Sequence, residues 1–440
     1  MIAPDIAPPR ACPHCAAPLE TDERFPTWCP ACEWGLLPAP EAEAHRTPDD
    51  RAHAERGARR EEARRRAVRV RVESLYEATA DGSAPTRDRT WLAAAAIAGL
   101  VHLVTFGLLA GSVLLLCGGA WPMRILGAVG LVVTYGLRPR LGRVVRDETI
   151  LRRCDAPALY ALADRVSSAV GARPVDHIRV TDEFNASFGR YGLRRRSVLV
   201  LGLPLWVSLG PQERVALLGH EFGHDVNGDH RRGLWLHSAV TALVEWHHLT
   251  RPDGDGGSGA GFTIGTVNVL VGMVHGLVHR VVRALLVLLD RLTVRSGQGA
   301  EYRADALAAK VGSAAAVRGL LEVLLHPQSA ETVLLRFRSM PRQGRGARSA
   351  SRREDVDLWA RITAQIADVP PLERERRLRL SAREFEAVDA THPPTHLRLR
   401  LLGTRPAGEP TVVLTDQEAA AIENELAPAR ARVVAALMAG

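Results

Sequence analysis

Between Trp91 and Cys117 the chain has no aspartate, glutamate, lysine or arginine, and His102 is its one imidazole. As a helix this stretch is ~40 Å long at 1.5 Å per residue, more than the ~30 Å hydrocarbon thickness of a bilayer. A transmembrane helix is therefore expected here. Behind the turn Gly118-Gly119-Ala120-Trp121-Pro122, a second apolar run, Met123–Leu137, carries only Arg124 at its edge. It is short, but it spans if its flanks snorkel. The two runs predict a transmembrane helical hairpin over residues 91–137.

The charges around the hairpin set its expected orientation. Arginines crowd the approach (Arg64 to Arg71, then Arg87 and Arg89) and the exit (Arg138, Arg140, Arg143, Arg146), whereas the connecting turn has only Arg124. By the positive-inside rule both ends face the cytoplasm, which predicts a multi-pass cell-membrane protein in contact with the lipid bilayer. The formal charge of +8 comes from 57 basic and 49 acidic residues, and Lys310 is the only lysine. That bias, with abundant alanine, points to a GC-rich bacterial genome. Nucleic acid is not the expected partner of so basic a chain: in Arg59-Arg60-Glu61-Glu62 and its surroundings the acids interleave, and no aromatics accompany the arginines. Met1–Arg10 is proline-rich without an apolar core, so no cleavable signal peptide is expected.

Four of the six cysteines form the knuckles Cys12-Pro-His-Cys15 and Cys29-Pro-Ala-Cys32. Paired CxxC knuckles offer four thiolates to one tetrahedral ion, and a module this small uses metal in place of a core. A structural zinc ribbon is predicted over residues 10–37, followed by a basic linker or helix over 38–90. Cys117 and Cys154 stand alone, in keeping with a reducing compartment.

From residue 150 to 405 the pattern becomes globular. Leu159, Leu162, Val166 and Val170 have helical spacing, while His177–Thr181 and Ser197–Leu201 read as strands. Pro211-Gln212-Glu213 opens a helix. Two later apolar stretches, 234–249 and 262–289, contain Glu245, His247, His248, Arg280 and Arg283. They suit lipid-facing spans, interfacial helices or core elements, and their pairing and apolar length favour membrane contact. Arg336–Arg353 reads as a loop and 406–440 as a helical tail. The expected fold is mainly α with a small β-sheet, an α+β catalytic domain joined to transmembrane helices and the ribbon.

Chemistry concentrates in His220-Glu221-Phe222-Gly223-His224. Histidines four apart project from one helix face and can reach one zinc, and Glu221 then lies beside the open coordination position. Zinc there brings a water's pKa to about 7, and a neighbouring carboxylate can take its proton. A third protein ligand is needed, and two residues offer themselves. His230 stands where the HExxHxxGxxH class places its third histidine, although Asn227 occupies that class's glycine. Glu301, in Glu301-Tyr302-Arg303-Ala304-Asp305, starts a predicted helix to about Val311, with Asp305 one turn on and able to accept a hydrogen bond from a ligand histidine.

With these motifs in this order, and with Asn185-Ala186 ahead of a strand and His392-Pro393-Pro394 with Arg398 behind, the chain resembles the HtpX-like membrane zinc metallopeptidases, relatives of the CAAX prenyl endopeptidases. The resemblance covers the hairpin and roughly 156–402. It implies a catalytic zinc on His220, His224 and Glu301, with Glu221 as general base. It further implies that His392 donates to the developing oxyanion, that Asp305 and Arg398 support the ligands, and that Asn185 and Ala186 help bind a polypeptide substrate. Gly297 and Gln298 depart from the Ser-Arg the family often has, and the ribbon is an addition. The function implied is a zinc-dependent endopeptidase acting on membrane-associated or misfolded proteins at the cytoplasmic face. The competing expectation is a non-catalytic membrane adaptor whose ribbon engages a protein or nucleic-acid partner.

Overall fold

The computed structural model describes residues 11–37, 48–82, 89–136, 149–192, 195–227, 229–251, 262–339, 358–384, 392–404 and 408–439. Arg138, Arg140, Arg143 and Arg146, on which the expected orientation partly rests, lie outside them, as does most of the Arg336–Arg353 loop. The fold is mainly helical, with one small sheet.

Helix α1 (Pro48–Ala80) is rich in Ala, Glu and Arg, all good helix formers. Its last turns bury Val72, Leu75 and Tyr76, at i, i+3 and i+4, against Tyr302, Leu397 and Leu401. Helices α2 (Arg89–Gly118) and α3 (Trp121–Gly136) pack against each other as a helical hairpin. Glycines at 127 and 130 let α3 lie against Ser112 of α2. Thr90–Gly118 is, among the described residues, the one helix long and apolar enough to cross a membrane. The outer face is strongly apolar and uncovered: Leu103, Phe106 and Leu114 on α2 are 66%, 66% and 71% exposed, and Val132 on α3 is 73% exposed.

The globular part is built on a four-stranded mixed sheet in the order β1-β2-β4-β3. Strand β2 (His177–Thr181) runs parallel to β4 (Arg196–Gly202), while β1 (Ile150–Leu151) and β3 (Ala186–Tyr191) pair antiparallel, with Ile178 opposite Leu199 and Phe188 opposite Leu199 from the other side. The continuous apolar run of β4 suits a central strand covered on both faces. Helix α4 (Pro157–Val170) starts with proline in its first turn and stops at Gly171, whose left-handed backbone (φ 80) favours glycine. It packs its Leu159, Leu162 and Val166 into the main core. The short α5 (Leu203–Val207) is buried throughout and leads into α6 (Pro211–Val226).

Beyond α6, helix α7 (Asp229–Leu249) and helix α8 (Phe262–Gly312) pair with each other and with the first half of α2. Ala94, Ala98 and Val101 of α2, Leu236, Ala239 and Leu243 of α7, and Val282 and Leu289 of α8 form a core separate from that of the sheet domain. Here the structure departs from the sequence pattern. Residues 262–289 and the Glu301 segment are not two elements but one uninterrupted helix, and Glu301 lies well inside it. Gly297 and Gly299 weaken a helix by only about 1 kcal/mol each and remove no hydrogen bond, and no proline is present to end it.

Helices α9 (Ala314–Val323), α10 (Pro327–Arg338), α11 (358–367), α12 (Pro371–Glu384) and α13 (Thr395–Gly403) close the domain. Helix α14 (Asp416–Ala439), in the segment expected as a helical tail, contributes Ile422, Leu426 and Val434 to the main core. The Glu425 carboxylate accepts hydrogen bonds from the first-turn N–H groups of α4, Ala158 at 2.7 Å and Leu159 at 3.0 Å. The ribbon docks on α12: Arg379 donates to the Pro30 carbonyl at 2.6 Å and stacks over buried Trp28, Arg383 pairs with Glu33, and Arg24 pairs with Asp368 just before α12.

Candidate metal centre and active site

Helix α6 presents His220, Glu221 and His224, and the surface beside His220, at Gly219 and Gly223, is unusually small. A side chain at Gly223 would place its Cβ 3.0 Å from the Ala304 Cα, and one at Gly219 would place it 3.1 Å from the Ala308 Cα. Farther along, Gly312 of α8 approaches Ala216 of α6 as closely. The backbones of α6 and α8 therefore cross without side chains between them, which brings Glu301 to the histidines. This seam escaped the sequence reading, although its signal was present as small residues at 216, 219 and 223 facing others at 304, 308 and 312.

Three donors converge. His220 Nε2 and His224 Nε2 are 3.3 Å apart, His220 Nε2 is 3.4 Å from Glu301 Oε2, and His224 Nε2 is 3.3 Å from Glu301 Oε1. A tetrahedron whose centre-to-corner bonds are ~2.0–2.1 Å, as for zinc, has edges of ~3.3–3.4 Å. The two histidine nitrogens stand at that spacing and Glu301 turns one oxygen toward each, so the three residues are placed to share such an ion. Glu301 Oε2 is buried among cationic or ionisable neighbours, His392 Nδ1 at 2.9 Å, His220 Nε2 at 3.4 Å and Arg398 Nη2 at 3.6 Å, the surroundings of an oxygen able to ligate a cation. Among the described residues, Glu301 is the candidate third ligand brought to the pair. His230 lies in the first turn of α7, and its side chain is outside the described residues.

A carboxylate behind the ligands fixes their roles. Asp305, 2% exposed, accepts from His220 Nδ1 at 3.0 Å and from Arg398 Nε and Nη2 at 2.8 and 2.6 Å. With Nδ1 donating there, His220 offers the Nε2 lone pair to the metal. Burial would raise the Asp305 carboxyl, but Arg398 and then His220 hold it down to about 2. Burial likewise opposes ionisation of Glu301, yet His220, His224 and His392 together hold it well below the usual carboxylate range. Burial also disfavours a charged His220, and Asp305 and Glu301 outweigh it and raise its pKa. All three shifts express one demand, for positive charge between these carboxylates.

Glu221 is half-buried beside the donors. Burial pushes its carboxyl up, partly offset by His220 and His224. His392 Nδ1 lies 2.9 Å from Glu301 Oε2, so the histidine expected near the reacting atoms is there, on a side chain 47% exposed. The exposed Asn185 turns its Oδ1 back on the Ala186 N–H at 2.8 Å, which fixes the start of β3, an edge of the sheet that packs on α6 through Phe188 and Phe222. A further support was missed: half-buried Arg190 of β3 forks onto Asp225, next to His224, at 2.9 and 2.6 Å. Its only sequence signal was an aspartate directly after the motif.

At the other end of the chain the four thiols of Cys12, Cys15, Cys29 and Cys32 lie with all sulfurs within 4.8 Å of one another, and none is in a disulfide. That is a second, all-sulfur donor set of the kind that holds structural zinc.

The profile of peptidase family M48 matches residues 159–405, more than half of the chain and all of the residues of the His-His-Glu centre. This chain belongs to peptidase family M48. The family comprises zinc metallopeptidases, HtpX-like and CAAX-protease-like members among them, and the residues it matches include the His-His-Glu group that could hold a metal ion. The resemblance of the motifs is thereby confirmed at the level of the family. No curated protein gives a significant match over the chain.

Proposed function

We propose that this M48 member is a membrane-bound zinc-dependent endopeptidase that hydrolyses membrane-associated or misfolded polypeptides at the cytoplasmic face. The observation that carries the proposal is the convergence of His220, His224 and Glu301 with Glu221 beside them. His220, His224 and Glu301 would hold the zinc, which when bound acidifies a water and polarises the scissile carbonyl. Glu221 accepts the proton of the attacking water and delivers it to the leaving amine, and burial brings its carboxyl toward the proton affinity such a base needs near neutral pH. His392, resting on Glu301 through Nδ1, has Nε2 for the developing oxyanion. Asp305 and Arg398 keep His220 in its ligating tautomer. The edge strand beginning at Asn185-Ala186 aligns an extended polypeptide by strand addition.

The exposed apolar faces of α2 and α3 support a bilayer as their covering, since uncovered apolar surface of that extent is not stable in water. The ribbon, pinned beside the helix that precedes His392, is suited to holding a protein partner or substrate. Replacing Glu221 with Gln tests the mechanism: zinc content should be retained while cleavage of a denatured model protein falls about 100-fold or more. Unchanged cleavage would exclude Glu221 as the base.

A further inference from the structure

Resting on the membrane-bound peptidase proposed above, we infer that the site cuts polypeptides anchored in the same bilayer, at bonds no closer than about five residues to the point where the anchor leaves the hydrocarbon. The argument is one of height. A span of ~20 residues counted back from Gly118 places the near boundary of the hydrocarbon around Ala98 of α2. Trp235 of α7 stands at that level: its Nε1 donates to the Ala95 carbonyl at 3.1 Å, and its ring lies 4.4 Å from that of His102. An indole there, half-exposed and hydrogen-bonded, suits the membrane interface. Leu289 of α8 packs in the same cluster as Ala94 and Ala98, and Asp290 and Arg291 follow it directly.

Two helices then measure the distance to the metal centre. Along α7, Trp235 back to the helix start at Asp229 is ~9 Å, and His224 lies in the last turn of α6, just before that start. Along α8, Arg291 to Glu301 is ~15 Å at 1.5 Å per residue, in a helix with no break between them. Both routes put the ligands ~10–15 Å above the hydrocarbon. Because Glu301 lies on the same unbroken helix as Val282 and Leu289, which pack against α2, this height is built into one rigid element and cannot relax independently of α2. An extended chain covers ~3.3–3.5 Å per residue, so about four or five residues must separate the anchor from the scissile bond. Bonds within the anchor are out of reach. Tethering raises the local concentration of any flexible segment longer than this, without a new contact.

The test uses the full-length protein in proteoliposomes with model substrates, each a single transmembrane anchor followed by an unstructured spacer of about 3, 6, 12 or 20 residues and a folded tag. Products are mapped by mass spectrometry against the Glu221→Gln variant, and the same segments are offered without an anchor. Cleavage should be at least about tenfold weaker for the shortest spacer, start about five residues from the anchor in the longer ones, and be at least about tenfold slower for untethered segments at equal concentration. Cuts inside the anchor or within about two residues of it, or equal rates with and without a tether, would overturn the inference while leaving the peptidase standing. If the metal-loaded wild type cuts no more than Glu221→Gln, the peptidase function itself falls, and the inference with it.

Discussion

Asp305 allows the site to be broken without touching a ligand, and the structure fixes the expected size of the effect. Its carboxylate serves three N–H donors, one on His220 and two on Arg398. In Asp305→Asn the shape is kept, but only one oxygen remains. If that oxygen stays on His220, the amide N–H₂ faces the Arg398 Nε–H, donor against donor. If the amide flips, it faces His220 Nδ1, which must then shed its proton and carry one on Nε2, where no metal can bind. The first arrangement costs less, so His220 keeps its partner while buried Arg398 loses its countercharge. Holding the Asp305 carboxyl at about 2 rather than 3.8 corresponds to about 2–3 kcal/mol of native-state stabilisation. Breaking a buried pair from one side typically costs about 3–5 kcal/mol, and the retained oxygen recovers part of it. A loss of about 2–4 kcal/mol in unfolding free energy is expected, together with about 10–100-fold weaker zinc binding, because a neutral amide oxygen supports His220 less strongly than the carboxylate does. Unfolding in detergent and titration with a competing chelator measure the two separately. Zinc affinity within about twofold of wild type would refute the view that the charge of the Asp305 carboxylate strengthens His220 as a ligand.

Three further outcomes follow from the same geometry. Glu301→Ala should lose the zinc of the His-His-Glu centre while His230→Ala keeps it, read as metal content of protein whose cysteine site is left intact; the reverse result would make His230 the third ligand. Gly223→Val places branched carbons where Ala304 Cα stands 3.0 Å from a Cβ, so overpacking of about 1–3 kcal/mol and a displaced Glu301 should lower both melting temperature and zinc affinity, whereas the exposed Gly57→Val should alter neither. Buried His326 is neutral in the fold, because burial and then Arg377 bring its pKa to about 4. The unfolded chain takes up that proton near its ordinary 6.5, so the stability from this residue is complete above pH 6.5 and is lost as pH falls toward 4, by on the order of 3 kcal/mol. Thermal unfolding against pH should show this slope in wild type and a flatter one in His326→Gln.

What the sequence disclosed of this protein was the part governed by local spacing. The hairpin, the two CxxC knuckles and the pair of α6 histidines are each readable within a few turns of chain, because period and ligand chemistry act locally. Glu301 was not reachable that way. From the residues alone it competed with His230, and the decision depended on how α6 and α8 cross, which small residues far apart in sequence determine. The apolar stretch 262–289 has the length of a complete span, so the charged residues after it looked like a boundary, although nothing in them stops a helix. Helix α1 likewise offered only a solvated composition until Tyr76 met Tyr302, at 6.5 Å between ring centroids. Asn185 and Ala186 were singled out through the family resemblance, and their place on an edge strand beside α6 is a fact of topology.

The grip of Glu425 on the start of α4 bears on the order in which the domain is completed. The helix it caps is among the first elements of the globular domain to be made, whereas the capping carboxylate and the apolar side chains Ile422, Leu426 and Val434 arrive only after all the ligands of the metal centre. On the ribosome, a chain that already holds His220, His224 and Glu301 still has an open core and an uncapped α4. Synthesis thus delivers the residues of the His-His-Glu centre first and the helix that completes the core behind them last.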